Sequence, residues 1–300
     1  GFCARSRYGD HSMQVLHLLE PKGPAVATRG VVVFVHGGAW GSGKPWMYRL
    51  ASIPFLEMGL AVAIVGYRTY PDADVDGQVE DVERAMEDLA RRRPDLLQNN
   101  RGGGISALVG HSTGAHISFL TVLKRSKAHM EAEKQGKESK DVFINSFIGL
   151  SGVYNIQNHF EFESGRGVEE MSPLKPVCGF SVENFIENSA CFRLEQCLLD
   201  QEREECDVAE EVELVDHLPQ MLFVHGVLDD TVPYTSTQKI VDAILSIESS
   251  DVEEKCHEIL LEDVGHSDTV MHLMFGGKTR DSLVDWFQSW SLFSECDDES

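Results

Sequence analysis

Five residues, Gly110-His111-Ser112-Thr113-Gly114, carry the most specific chemical signal in this chain. They stand between an apolar β-type run, Ile105 to Val109, and a helical pattern, Ala115 to Lys124. A serine on a sharp strand-to-helix turn holds its hydroxyl clear of the backbone at the positive end of a helix, and flanking glycines let strand and helix approach closely. That is the geometry of a nucleophile elbow. A serine hydroxyl is nevertheless a poor nucleophile at neutral pH. It needs a neutral imidazole to take its proton, and the imidazole needs a carboxylate to set its tautomer and stabilise the imidazolium.

Both partners occur downstream, in the chain order that a nucleophile elbow uses. After the apolar run Met221 to Val224 comes His225-Gly226-Val227-Leu228-Asp229-Asp230-Thr231. A carboxylate on a loop just past a strand reaches the carboxyl edge of a sheet. Spacing favours Asp229, with Asp230 as the alternative. After Ile259 to Leu261 comes Glu262-Asp263-Val264-Gly265-His266, which puts His266 on the next strand-end loop. His257 precedes its strand and belongs to the opposite end of the sheet, while His272 falls in a helical pattern. His111 and His116 flank the elbow and read as packing or supporting groups.

Upstream, His36-Gly37-Gly38-Ala39-Trp40 follows Val31 to Val35 directly. Adjacent glycines let backbone N–H groups point into a cavity, where acyl transfer needs donors for the developing oxyanion. Gly38, Ala39 and Thr113 are the expected donors, with Gly37 and Trp40 beside the substrate.

These residues need a scaffold that brings loop ends together. The runs Val31–Val35, Leu60–Val65, Ile105–Val109, Val142–Leu150, Met221–Val224 and Ile259–Leu261 read as buried strands. Helical patterns over Val79–Arg92, Ala115–Lys124, Ser236–Ile247 and Arg280–Trp290 alternate with them. Alternation of this kind predicts an α/β fold with a mostly parallel sheet covered on both faces. One domain over 1–300 is expected. The segment from about 151 to 218 breaks the alternation and holds Phe160, Phe162, Phe180, Phe185 and Phe192, so it is read as a cap over the strand ends. Tyr154 and Phe160 are its expected substrate contacts. The polar stretch Ser126–Lys140 is expected to be a mobile insertion loop.

Composition narrows the partners. The chain has 300 residues, 42% hydrophobic and 25% charged, as in an ordinary globular protein. Its formal net charge of −23 disfavours nucleic acid and anionic membrane surfaces, which would repel it. No apolar run approaches the roughly 20 residues of a membrane span; a soluble protein is expected, cytoplasmic in the first place, with an endomembrane lumen or membrane association of the full-length protein as the alternatives. The seven Cys include no Cys-x-x-Cys, and no His-x-x-x-His occurs, so neither a metal nor another cofactor is expected. The cluster Cys178, Cys191, Cys197 and Cys206 is compatible with disulfides or with thiols.

Together these residues resemble the α/β-hydrolase superfamily, from about Tyr8 to Trp290. Tyr67-Arg68-Thr69-Tyr70-Pro71 is similar to the Tyr-Arg-x-x-Pro segment of esterase and lipase branches that carry a His-Gly-Gly loop. Within the superfamily, His36 to Trp40, Gly114-Ala115-His116, Ser151 to Asn155, His159-Phe160 and Met171-Ser172-Pro173 resemble isoprenylcysteine methylesterase-like enzymes, with kynurenine formamidases as near relatives. Thr113 departs from the pattern, because such relatives usually carry Ala there, and some have Gln in place of His111. The resemblance implies an α/β-hydrolase fold with Ser112, Asp229 and His266 as catalytic triad and an acyl-enzyme intermediate. It implies a serine carboxylester hydrolase acting on a small or medium acyl or methyl ester, prenylcysteine methyl esters included. Two alternatives stand beside it. One is an arylformamidase for N-formylkynurenine-like amides, which would use the same triad. The other is a non-catalytic α/β-hydrolase-like binding protein, against which a complete triad argues.

Overall fold

The short β-branched runs form the interior of one eight-stranded sheet in a computed structural model, which describes residues 3–22, 28–98, 103–203, 213–247 and 249–289. The strands are β1 (Cys3–Arg7), β2 (Val15–Leu19), β3 (Val31–Val35), β4 (Ala61–Gly66), β5 (Ala107–His111), β6 (Ser146–Leu150), β7 (Gln220–Gly226) and β8 (Cys256–Leu261). They lie in the order β1-β2-β4-β3-β5-β6-β7-β8. The pairs β1/β2 and β2/β4 are antiparallel, and every later pair is parallel.

The α-helices are α1 (Ile53–Glu57), α2 (Val75–Arg92), α3 (Thr113–Lys134), α4 (Ile156–Gly165), α5 (Leu174–Cys178), α6 (Val182–Glu187), α7 (Ala190–Arg203), α8 (Leu214–His217), α9 (Thr235–Leu245), α10 (Ser250–Lys255), α11 (Asp268–Phe275) and α12 (Lys278–Ser289). Successive side chains of each strand point to opposite faces, so the sheet separates two cores. On one face Val33, Val35, Leu108, Phe147 and Phe223 meet α2, α3, α7 and α9 through residues such as Met86, Phe119, Leu194 and Ile240. On the other, Val32, Phe34, Val109, Ile148 and Val224 meet α1, α11 and α12 through Phe55, Leu273, Leu283 and Phe287. All residues of β3 to β6 are buried, as a parallel sheet with two covered faces requires.

The structure departs from the sequence reading in three places. The N-terminal pair β1 and β2 has no periodic apolar signal, because β1 reads Cys-Ala-Arg-Ser-Arg and His17 interrupts β2. Ser126–Lys140 is not an insertion loop, since α3 runs on to Lys134. Its Ala, Glu, Lys and Met residues are strong helix formers, and buried Met130 anchors the extension to the core. Helices α4 to α8 do fill the chain between β6 and β7, yet α7 packs on α3 and α9 of the main body. Cys206, the acidic residues Glu204, Glu205, Glu210 and Glu211, and the tail 290–300 lie outside the described residues. Among the described residues, no helix is long and apolar enough to cross a membrane.

Candidate active site

The strand order creates a crevice before any side chain is considered. β4 and β5 flank β3, so the loops leaving β3 and β5 diverge at their carboxyl ends. The loop after β3 carries His36 to Trp40, and the turn after β5 carries Ser112. Val35 is in register with Gly110, which sets the two segments side by side. Ser112 has φ 55° and ψ −123°, a strained conformation for a non-glycine residue. It leads into α3 without capping the helix through its side chain, so the hydroxyl is available for other contacts. A Cβ on Gly114 would meet the Val35 carbonyl at 2.3 Å, and one on Gly37 would meet Ser112 Cβ at 2.9 Å. The bare backbone at both positions is what allows the helix and the loop to close on the serine.

Ser112 Oγ lies 3.0 Å from His266 Nε2. His266 Nδ1 lies 2.8 Å from Asp229 Oδ2. A carboxylate only accepts, so Nδ1 carries the proton and Nε2 offers a lone pair to the serine hydroxyl. Asp229 is itself firmly held. Its Oδ1 accepts the N–H groups of Thr231 at 2.9 Å and Val232 at 2.8 Å. Its Oδ2 also faces His225 Nε2 at 3.2 Å. Burial would raise its pKa, but hydrogen bonds from His225 and His266 override that and hold the carboxyl well below the usual carboxylate range. Asp230 is exposed, with a 3.3 Å contact from the Thr231 hydroxyl.

The loop after β3 is bent so that Gly38, Ala39 and Trp40 all have positive φ. Its shape is fixed from several sides. Ser42 N–H donates to the Gly38 carbonyl at 2.9 Å, Trp40 N–H faces Thr113 Oγ1 at 3.4 Å, and Gln78 Nε2 and Tyr70 N–H both donate to the Trp40 carbonyl at 2.9 Å. Tyr67 Oη donates to the His36 carbonyl at 2.8 Å. The Tyr-Arg-x-x-Pro segment therefore braces this loop, while Arg68 pairs with buried Asp81 at 2.8 Å. Among the described residues, no hydrogen bond uses the N–H groups of Gly38, Ala39 or Thr113.

A second network, not anticipated from the sequence, ties the two loops together. Tyr48 Oη accepts the Gly37 N–H at 3.2 Å and lies 3.2 Å from His111 Nδ1. His111 Nε2 lies 3.2 Å from the His266 carbonyl. That carbonyl can only accept, so Nε2 holds the proton and Tyr48 donates its own to Nδ1. Burial, with the like charge of His266 second, pushes the His111 pKa down to about 3, which keeps this tautomer neutral. Thr269 Oγ1 donates to the same carbonyl at 2.9 Å and is backed by Ser151 at 3.2 Å. Tyr48 sits in a 3₁₀ helix, Pro45–Ser52, whose sequence carries no chemical signature. His225 did carry one: a polar residue ending an apolar strand four positions before an acid.

Several expected contacts are not at the serine. Trp40 is wholly buried, its indole N–H donating to His116 Nδ1 at 3.2 Å, and His116 Nε2 donates to the Asn188 carbonyl at 2.8 Å. It anchors the loop to the segment between β6 and β7 and cannot wall a pocket. Tyr154 is also buried, packed against Phe119 and Phe223 in the main core. Phe160 packs against Phe185 with the two rings tilted, and Lys175 lies over its ring, inside the inserted segment. A large aromatic ring gains more from such packing than from facing solvent, although Phe180 on the same segment stays exposed. His257 packs on Trp286 and His272 bonds Thr279 at 3.3 Å, both away from Ser112. Among the described residues, Cys178, Cys191, Cys197 and Cys256 are free thiols.

The BD-FAE family model matches residues 16–244. A probable isoprenylcysteine alpha-carbonyl methylesterase of Oryza sativa subsp. japonica is 26% identical over 281 residues, covering 93% of this chain and 61% of that protein. Such methylesterases are longer proteins, of which the chain spans 50% to 61%. A kynurenine formamidase of Danio rerio is 27% identical over 127 residues, 42% of this chain and 38% of that protein. The crystal structure of esterase B from Lactobacillus rhamnosis superimposes with a TM-score of 0.69 at 18% identity, covering 96% of this chain and 85% of that one. The fold is the α/β-hydrolase fold.

Proposed function

The chain belongs to the BD-FAE family, and we propose that it is a serine carboxylester hydrolase working through an acyl-enzyme on Ser112. The observation that carries this reading is the continuous path from Ser112 Oγ through both ring nitrogens of His266 to Asp229, at 3.0 and 2.8 Å. In the proposed reaction His266 Nε2 takes the serine proton as Oγ attacks the ester carbonyl. Asp229 stabilises the imidazolium that forms. The N–H groups of Gly38, Ala39 and Thr113 receive the oxyanion. His266 then returns the proton to the departing alkoxide, leaving the acyl group on Ser112. Water, deprotonated by the same nitrogen, releases the acid.

Helices α4 to α6 form the proposed cap, with Pro173 packed against Gly41 of the oxyanion loop. Two exposed apolar side chains are proposed as the substrate's neighbours in place of the buried aromatics. Met171 stands beside that contact and is 85% exposed, and Leu228 precedes Asp229 and is 64% exposed. An apolar acyl or leaving group fits such a rim.

Methyl or simple acyl esters are favoured over formamides, because the methylesterase match extends over 93% of the chain and the formamidase match over 42%. Fluorophosphonate labelling with Ser112→Ala as control tests the chemistry. Loss of a triad serine costs on the order of a million-fold in turnover. A Ser112→Ala protein that is still labelled, or that keeps a tenth of wild-type hydrolysis, removes the reading. Rates on a prenylcysteine methyl ester, on short acyl esters and on N-formylkynurenine then rank the substrate classes. Leu228→Ala and Met171→Ala are expected to change that ranking.

A further inference from the structure

Behind the loop that carries Gly37 lies a cavity of about 320 Å³ that Ser112 and His266 do not line. Its walls include Arg5, His17, Lys44, Pro45 and Trp46. Strand register places Arg5 directly opposite His17, so both side chains rise from the same face of the sheet. Arg49 reaches His17 Nδ1 from the 3₁₀ helix, with Nη2 at 3.3 Å and Nε at 3.4 Å. A guanidinium only donates, so Nδ1 is a lone pair and the His17 proton is on Nε2. Burial, reinforced by Arg49 and Arg5, pushes the His17 pKa down to about 4, and no carboxylate contributes to its field.

Two cations, Arg5 and Lys44, thus line one concavity, and a third, Arg49, is held on the His17 that lines it. Among the described residues none of them forms an ion pair. No acidic side chain lines the cavity, in a chain that has 49 acidic residues against 26 basic ones. Like charges gathered without a counter-charge repel one another, and a bound anion would turn that repulsion into attraction. The remaining wall is mixed: Ser12, His36 and Tyr67 stand beside the apolar Met13, Val15 and Pro45 and a Trp46 that is 59% exposed. The volume lies at the lower end of small-molecule sites.

We propose that this cavity binds a small organic anion, a carboxylate or a phosphate ester on a flat apolar body. Its charge lies against Arg5, Lys44 and the His17–Arg49 pair, and its body lies on Trp46. The site is separate from Ser112, so the inference stands independently of the hydrolase reading, and it is tested on Ser112→Ala protein.

Benzoate and phenyl phosphate are titrated by calorimetry and by tryptophan fluorescence, with benzyl alcohol as the uncharged control. At least one of the two anions is expected to saturate a single site, and which one does so separates carboxylate from phosphate ligands. Arg5→Gln and Lys44→Gln should each weaken binding on the order of tenfold, and the double variant more, with an unchanged melting temperature. The fluorescence change should vanish in Trp46→Phe. The proposal is overturned if neither anion saturates by roughly 10 mM, if benzyl alcohol binds equally well, or if the double variant binds like its parent. A fluorescence change that persists in Trp46→Phe overturns the placement of the ligand body.

Discussion

Replacing Asp229 with asparagine forces one specific rearrangement. The carboxylate now meets two donors on each oxygen: Thr231 and Val232 N–H on Oδ1, and His266 Nδ1 and His225 Nε2 on Oδ2. The amide must keep its carbonyl on the two backbone N–H groups, which cannot change character. Its NH2 is then turned toward both histidines. His225 tolerates this, because its Nε2 already has the Val232 carbonyl at 3.0 Å. His266 relieves the clash of donors only by moving its proton to Nε2, where it faces Ser112 Oγ as a donor and no longer as a base. In a serine protease the equivalent change lowers turnover about ten-thousand-fold, or roughly 5.5 kcal/mol of barrier at about 1.4 kcal/mol per factor of ten. Asp230→Asn alters an exposed side chain with one 3.3 Å contact, so less than about 0.5 kcal/mol is at stake. The assay is kcat/KM on a chromogenic acetate ester, with thermal melts to show that both variants are folded. A folded Asp229→Asn protein that keeps a tenth of the wild-type rate, or a larger loss at Asp230, would refute this reasoning.

Tyr48→Phe leaves the Gly37 N–H and His111 Nδ1 without their shared partner. At about 1–3 kcal/mol for each buried unpaired group it should lower the melting temperature, and it should depress kcat more than it raises KM; an unchanged kcat in a folded protein would limit Tyr48 to packing. Gly37→Ala sets a methyl 2.8 Å from the His111 carbonyl and 2.9 Å from Ser112 Cβ, and should cost on the order of a hundred-fold in kcat; wild-type turnover would show that the loop yields freely. Acid should unfold the protein early. Burial lowers His36, His111 and His116 from 6.5 to about 4, 3 and 4, so the unfolded chain takes up protons before the native one does. Their contribution is complete above pH 6.5 and is lost as pH falls toward 4, by about 2 kcal/mol for each histidine at pH 5. Denaturant unfolding at pH 7.5 and pH 5 measures this directly, and equal stabilities at the two values would contradict it.

The elements around the serine could be read from the chain because they depend on local chemistry. A β-branched apolar run favours a strand wherever it falls, and a serine between Gly110 and Gly114 can make the close strand-to-helix turn that bulkier neighbours would block. Each of the three loops bearing Ser112, Asp229 and His266 directly follows such a run. Parallel strands bring their carboxyl ends together, so loop position along the chain translates into proximity in space. Side-chain direction is another matter, because it depends on which partners the packed sheet supplies. Trp40 and Tyr154 look in the sequence like pocket aromatics, but His116 lies within reach of one and Phe119 and Phe223 surround the other.

The supporting network shows the same division. His225 could be suspected from its spacing to Asp229. Tyr48 could not, because its two partners lie 11 and 63 residues away and meet it only after β3 and β5 are paired. The extension of α3 to Lys134 rests on good helix formers, which a reading of polarity alone treats as loop. The cavity behind the loop after β3 is a tertiary product throughout: Arg5 comes from β1, His17 from β2 and Trp46 from the 3₁₀ helix. Residue types and their local order determine which chemistry this chain can hold. Burial, and the hydrogen-bond partners met across the sheet, determine which of those residues are free to perform it.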